Sequence, residues 1–307
     1  MATKGLLGRT ETGLRTAFVN GSFVSEDDAK LSVFDRGILH GDAVFETAFA
    51  WNGRIFKLDQ HLSRIARSLK VVRIELPMSL DELKSTIVEV VRRNELQNAY
   101  IKWIVTRGVG NNVLLDPTGL VASVVVFARE YLYLTDPKKA RDGITTTLSQ
   151  TRRTPHESLD PRIKNINYLN LVMARMEAVD GGYDEVLMMD AKGHITEAPG
   201  YNVFAVRDGT VHTPARGILE GITRETVLEI CDALKIPFLL TDLLPYDLYN
   251  ADEIFLTSTA GGLIPVRSVD RREVSAGVPG PTFARIRDAY TEMIERGEHG
   301  TPVSGRA

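Results

Sequence analysis

The chain contains a single cysteine, Cys231. An intrachain disulfide is therefore impossible and a cysteine-rich zinc centre is excluded, while one lone thiol fits a reducing compartment. Long apolar runs are missing too. The greasiest stretch, residues 120–128, is far short of the roughly 20 residues a membrane helix needs. Residues 1–16 lack the apolar core of a secretory leader. There is no excess charge of one sign: Lys plus Arg number 37 and Asp plus Glu 40, a net charge of −3. That balance argues against nucleic acid or an anionic membrane as the main partner. The six histidines (40, 61, 156, 194, 212, 299) show no metal-ligand spacing, so no metal is expected. No phosphate-loop, strand-borne G-x-G-x-x-G, H-E-x-x-H or G-x-S-x-G pattern occurs, which removes support for nucleotide hydrolysis, zinc hydrolysis and serine-esterase chemistry. The expectation is a soluble cytoplasmic protein.

What is present is ordinary globular composition, 43% hydrophobic and 25% charged over 307 residues, enough for about two domains. Asn20-Gly21 and Asn52-Gly53 lie between apolar pairs and predict two-residue hairpins. Leu58, Leu62, Ile65 and Leu69 follow helical spacing, and Ser79 with Glu82 forms a capping box for a further helix. Strands are expected over residues 99–106 and 120–129. Later signals are a helix over 168–179 stopped by Gly181-Gly182, hairpin turns at Lys192-Gly193 and Asp208-Gly209, a helix from Thr223, a strand over 253–257 and a last helix from Pro281. The tail from His299 reads as loose. These elements predict an α+β chain of two domains, residues 1–133 and 143–307, joined by a linker over 134–142.

Two segments suit an anion. Leu219 to Arg224 puts Gly221 and a capping Thr223 at a helix start, where free N–H groups and the helix dipole can hold phosphate; an ordinary N-cap gives the same pattern. Residues 257–262 (Thr-Ser-Thr-Ala-Gly-Gly) follow a strand and can wrap an oxyanion, or form a plain turn. Lys164 lies in an irregular polar stretch, where a lysine is ordinarily a solvated charge. Glu197 follows a strand among small residues and can face a ligand or water.

Taken in order, seven blocks resemble the class IV (fold-type IV) pyridoxal-phosphate aminotransferases. They are Phe34-Asp35-Arg36-Gly37 with His40-Gly41-Asp42, His61-Leu62-Ser63-Arg64, Ile163-Lys164-Asn165, Thr196-Glu197 through Phe204, Gly221-Ile222-Thr223-Arg224, Ala251-Asp252-Glu253-Ile254 and Ser258-Thr259-Ala260. The resemblance spans residues 17–294. It implies a small N-terminal two-layer α/β domain, a larger C-terminal pseudo-barrel domain, pyridoxal 5′-phosphate in the cleft between them, and a homodimer. It also implies roles. Lys164 is similar to the lysine that forms the Schiff base and shuttles the proton. Arg64, Ile222, Thr223 and Thr259 match phosphate-binding positions. Glu197 matches the carboxylate facing the pyridine nitrogen, Leu219 the apolar residue on the ring, and Tyr168 a partner of the ring's phenolic oxygen.

The substrate branch is mixed. His40 stands where branched-chain enzymes often have tyrosine and some (R)-amine transaminases have histidine. Phe45 lies in a Val-Phe-Glu block that resembles the branched-chain group, as does the stretch 265–270. Thr259 and Ala260 are further substrate-side candidates. Tyr100-Ile101-Lys102 replaces the branched-chain Tyr-x-Arg with a lysine, which keeps a positive charge for a carboxylate with a looser grip than an arginine fork. The loop Arg107–Leu115 is the other carboxylate candidate. The expected reaction moves an amino group from a branched-chain or aliphatic amino acid, or an (R)-primary amine, to a 2-oxo acid by a ping-pong route. The alternatives are a D-amino-acid transaminase, a lyase like aminodeoxychorismate lyase, and a non-catalytic phosphate-ligand binding protein.

Overall fold

A computed structural model of the chain describes residues 15–110, 115–131, 136–274 and 277–303. The centre of the 107–115 loop (residues 111–114) and the expected boundary near Tyr133 lie outside the described residues. The chain divides into two compact units, Met1–Tyr131 with Gly300–Ala307, and Leu132–His299.

The first unit holds strands β1 (Thr16–Val19), β2 (Ser22–Ser25), β3 (Ala43–Trp51), β4 (Arg54–Phe56), β5 (Ala99–Thr106) and β6 (Ser123–Glu130). Its helices are α1 (Arg36–His40), α2 (Leu58–Val72) and α3 (Leu80–Arg93). The hairpins form as expected: Asn52 and Gly53 take φ of 48° and 70°, and β3 pairs with β4 at Trp51↔Arg54. Positive φ at both turn positions matches the right-handed twist of the flanking strands. The capping box at Ser79 is present, each partner satisfying the other's backbone N–H. The tail differs from expectation. Gly300–Pro302 forms a strand, β16, antiparallel to β4, so the seven-stranded order is β16-β4-β3-β5-β6-β1-β2. Backbone pairing with an edge strand requires no side-chain signature, which is why a Gly-Thr-Pro sequence hides it. Helices α2 and α3 cover one face, burying Leu62, Ile65, Leu69, Leu83, Ile87 and Val91 against β3, β5 and β6.

In the second unit, the strands are β7 (Ile144–Leu148), β8 (Glu185–Leu187), β9 (Glu197–Ala198), β10 (Tyr201–Arg207), β11 (Thr210–Pro214), β12 (Phe238–Thr241), β13 (Glu253–Ser258), β14 (Gly262–Val269) and β15 (Arg272–Glu273). Its helices are α4 (Pro137–Asp142), α5 (Leu169–Gly181), α6 (Ile222–Ala233), α7 (Pro245–Tyr249) and α8 (Pro281–Glu295). The pseudo-barrel region is one mixed sheet of nine strands. Its main path is β12-β11-β10-β13-β14-β7-β8, with β9 on β10 and β15 on β14. Strands β10 and β13 are buried almost throughout, as a central sheet covered on both faces requires. Glu253, itself buried, holds the start of α8 by accepting the Thr282 and Phe283 N–H groups at 2.8 and 2.7 Å.

Glu185 is buried too, and here burial changes the acid itself. Burial pushes the Glu185 carboxyl up to about 7, against the opposing pull of the Val186 N–H and of Arg175, 3.8 Å away. Its folded pKa therefore exceeds its unfolded value, so the stability it contributes is complete below about pH 4.3 and is lost as pH rises through about 7. Glu185→Gln cannot titrate, and its stability relative to wild type is expected to improve between pH 5 and pH 8 in urea titrations. A difference that stays constant with pH would overturn this.

Candidate active site

Glu197 begins β9 and is 5% exposed. Both carboxylate oxygens are held. Arg153 donates its Nε–H to Oε1 at 2.9 Å, and the Leu219 backbone N–H donates to Oε2 at 2.9 Å. Burial pushes the carboxyl above its ordinary range; Arg153, the Leu219 N–H and the positive charge of Lys164 each pull it back. Lys164 is half-buried in the turn-rich segment before α5, and Tyr168 is the N-cap residue of that helix. The structure thus brings Lys164, Glu197 and Leu219 together. The contact seen for Leu219 is through its backbone, a role no side-chain motif reveals.

The start of α6 departs from the sequence reading in one detail. The N-cap is Gly221, not Thr223, and no side chain caps the helix. A Cβ at Gly221 would lie 2.1 Å from Asn202 Oδ1, so any side chain there would have to displace Asn202. Asn202 in turn donates its Nδ2–H to the Leu219 carbonyl at 2.9 Å, pinning the loop that leads into the helix. Ile222 and Thr223 therefore sit in an uncapped first turn, where N–H donors and the dipole favour an anion. Directly across from Asn202, Thr257 of β13 shares its sheet face. The Thr257 hydroxyl is buried and has no hydrogen-bond partner among the described residues. The next turn is held by the Gly261 N–H donating to Ser258 Oγ at 2.8 Å, with Thr259 half-buried and Ala260 buried.

In the first unit the strand register sorts the candidates by face. Phe45, Thr47 and Phe49 of β3 oppose Ile104, Lys102 and Tyr100 of β5, so Phe45, Tyr100 and Lys102 share one face. The Lys102 ammonium lies 4.3 Å from the centre of the Phe45 ring, a diagonal cross-strand contact. Among the described residues no carboxylate pairs with Lys102, and burial lowers its pKa. Burial also pushes the Tyr100 hydroxyl up. His40 is exposed at the end of α1. On the opposite, helix-covered face, Glu46 accepts the Arg64 Nε–H at 2.6 Å and Nη2–H at 2.8 Å, with His61 Nδ1 at 2.8 Å. Burial alone would raise the Glu46 carboxyl; Arg64 and His61 outweigh it and hold the group well below the usual carboxylate range.

Some of these residues were not legible in the sequence. Arg153 is 44 positions from Glu197, in a stretch that carries no motif. Glu46 closes the Val-Phe-Glu stretch, but its pairing depends on the β3–α2 packing. Arg107, one end of the carboxylate-loop candidate, is a structural residue. It donates to both Asp42 oxygens and to the Val72 and Arg73 carbonyls at the end of α2.

Comparison with known proteins adds the identity of the scaffold. The profile of amino-transferase class IV matches residues 43–269. The branched-chain-amino-acid aminotransferase of Pseudomonas aeruginosa is 31% identical over 281 residues, 90% of this chain and 91% of that protein. A solved branched-chain aminotransferase from Thermoproteus uzoniensis, with norvaline, superposes with a TM-score of 0.88 at 33% identity, covering 95% of this chain and 100% of that one. A branched-chain amino acid aminotransferase of T.th., solved with pyridoxamine 5′-phosphate, gives a TM-score of 0.90 at 34% identity over 95% and 99% of the two chains. On the match across residues 43–269 and on this likeness over nearly its whole length, the chain belongs to the class IV aminotransferases.

Proposed function

We propose that the protein is a pyridoxal-phosphate-dependent transaminase. It transfers the amino group of a branched-chain or aliphatic amino acid to a 2-oxo acid by a ping-pong route, and it accepts some (R)-primary amines. The observation that carries this reading is the buried Glu197 carboxylate, held through both oxygens, with the charge of Lys164 acting on it. The donor set suits the cofactor. An uncapped α6 start and the buried Thr257 hydroxyl, without a hydrogen-bond partner among the described residues, fit a phosphate near Ile222 and Thr223, with Thr259 as a further donor; Arg64 joins the proposed phosphate set on the family resemblance alone. Bound there, the group supplies an electron-accepting ring that stabilises negative charge at the substrate's reacting carbon.

The chain's own residues do the rest. Glu197, ionised, would hold the protonated ring nitrogen of the bound cofactor. Lys164 would carry the proton taken from the substrate, because an amine can serve both as nucleophile and as acid–base. Tyr168 and Leu219 would help to orient the ring. Lys102 favours substrates with a carboxylate, since a half-buried cation with no anionic partner among the described residues gains most from an incoming anion. The Phe45 ring beside it keeps the surroundings apolar. The protein acts in the cytoplasm as a homodimer. Leu169, Val172, Met173, Met176 and Val179 project from α5, all exposed, and an apolar helix face of this kind supports association with a second copy. No helix among the described residues is long and apolar enough to cross a membrane.

Lys164→Ala is expected to abolish turnover of L-leucine with 2-oxoglutarate. It should also remove the borohydride-bleachable absorbance, near roughly 400–430 nm, that marks a covalently held cofactor. Full turnover by the variant would refute the assignment, and so would no activity of the wild type on L-leucine, D-alanine or (R)-1-phenylethylamine. Arg64→Ala and Glu46→Gln should both weaken retention of the cofactor in dialysis, by about tenfold or more for a charge-assisted contact worth ~1.5–3 kcal/mol. Retention equal to wild type in both variants would remove Arg64 from the phosphate set. Lys102→Met should raise KM about tenfold for L-leucine and leave that for (R)-1-phenylethylamine unchanged. Because burial lowers the Lys102 pKa, the wild-type preference for the carboxylate donor should fade as pH rises, at a lower pH than an exposed lysine would give. A pH-independent preference would contradict the role.

A further inference from the structure

Arg153 meets the Glu197 carboxylate from a segment whose backbone is held at several points. On α5, Glu177 accepts the Ser149 hydroxyl and the Gln150 N–H on one oxygen, and the Thr151 N–H and hydroxyl on the other. Two residues on, the Arg153 N–H donates to the Met189 carbonyl at 2.9 Å. Met189 bridges to Ile195, and the Met188 N–H donates to the Glu197 carbonyl at 2.9 Å. Arg153 and Glu197 are therefore laced to the same short piece of chain. The ion pair between them is nearly dry, with side-chain exposures of 13% and 7%.

We infer that Arg153 is the positioning residue for Glu197. It fixes Oε1 and supplies the permanent positive charge that keeps the carboxylate ionised toward the ring nitrogen of a bound pyridoxal phosphate. This rests on the proposed function. Among the described residues, two cations act on Glu197: Arg153, from the segment after β7, and Lys164, from the segment before α5. Their roles differ in time. Lys164 gives up its ammonium charge whenever its amine is used as nucleophile or base. The Arg153 guanidinium keeps its proton throughout. With Lys164 occupied, Arg153 is the cation that still opposes the tendency of the buried carboxyl to take up a proton. If Arg153 were neutral, the proton shared by Glu197 and the ring nitrogen would move to the carboxyl, and the ring would become a poorer electron acceptor.

The test uses full-length holoenzyme loaded with pyridoxal phosphate that carries 15N in the ring, with the ring-nitrogen resonance followed against pH. In wild type that nitrogen stays protonated through neutral pH. Arg153→Gln is expected to lower the pH at which it loses the proton by about one unit or more, and to lower kcat about tenfold with little change in KM. Arg153→Lys keeps the charge but not the fork, and it should move the midpoint less and restore most of kcat. If Arg153→Gln does not fold, Arg153→Met takes its place, with the same shift expected. A midpoint equal to wild type in the folded charge-free variant overturns the inference. A wild-type protein that retains no pyridoxal phosphate on dialysis would instead overturn the functional reading beneath it.

Discussion

A carboxylate removed from water is the constraint around which the second unit is arranged. Glu197 is buried, and an isolated ionised group in that position would cost several kcal/mol and take up a proton instead. Its charge survives only because each oxygen has a fixed donor: a guanidinium on one side and a backbone N–H on the other. The surrounding structure supplies those donors. The Leu219 N–H points correctly because Asn202 holds the Leu219 carbonyl and because Gly221 leaves room for the Asn202 side chain. The same loop then opens α6 without a cap. One short segment thus orients a donor to the carboxylate and presents the first turn of a helix to an anion.

The first unit solves a similar problem with a different balance. Glu46 carries no measurable exposure and is bonded to both Arg64 and His61. Here the partners outweigh desolvation and the carboxyl is driven down, whereas at Glu197 desolvation keeps the upper hand. The difference follows from geometry. Arg64 meets Glu46 with two parallel N–H donors, the strongest arrangement available to a carboxylate, while the pair at Glu197 is a single contact. A charge held as firmly as that of Glu46 is suited to locking a guanidinium in place. A carboxylate nearer its balance point is suited to sharing a proton.

Local rules made much of this chain readable. The Asn-Gly hairpins, the Ser79 capping box, the 3.6-residue stripe of α2 and the Asp208-Gly209 turn each depend on neighbours within four residues, and each is where the pattern puts it. Lys164, Glu197 and the α6 start were visible because they stand in ordered motifs. What the sequence did not disclose depends on contacts distant along the chain. Arg153 becomes meaningful only when β9 is laid beside the segment after β7. The Arg107–Leu115 loop read as a carboxylate candidate, and the partners that make its Arg107 structural, Asp42 and the end of α2, are 65 and about 35 positions away. Thr223 read as a cap because threonine favours that position, but Gly221 takes it, since Asn202 occupies the space that a side chain would need.

Arginine and lysine divide the work along physical lines. Arg36, Arg64, Arg107 and Arg153 each meet a carboxylate from another element or turn, and three of the four also contact a second acceptor or oxygen. A planar, permanently charged fork loses little entropy on being fixed and cannot shed its proton, so it is fit for holding. The two lysines singled out are different. Lys102 rests against an aromatic ring with its pKa lowered, and Lys164 acts on Glu197 from a turn-rich segment. An ammonium on a flexible stem can change charge when its surroundings change. Chemistry that exchanges protons therefore calls for lysine where a charge must change and arginine where it must not. Under the proposed function, an arginine at position 102 would grip a carboxylate more tightly than the lysine that stands there.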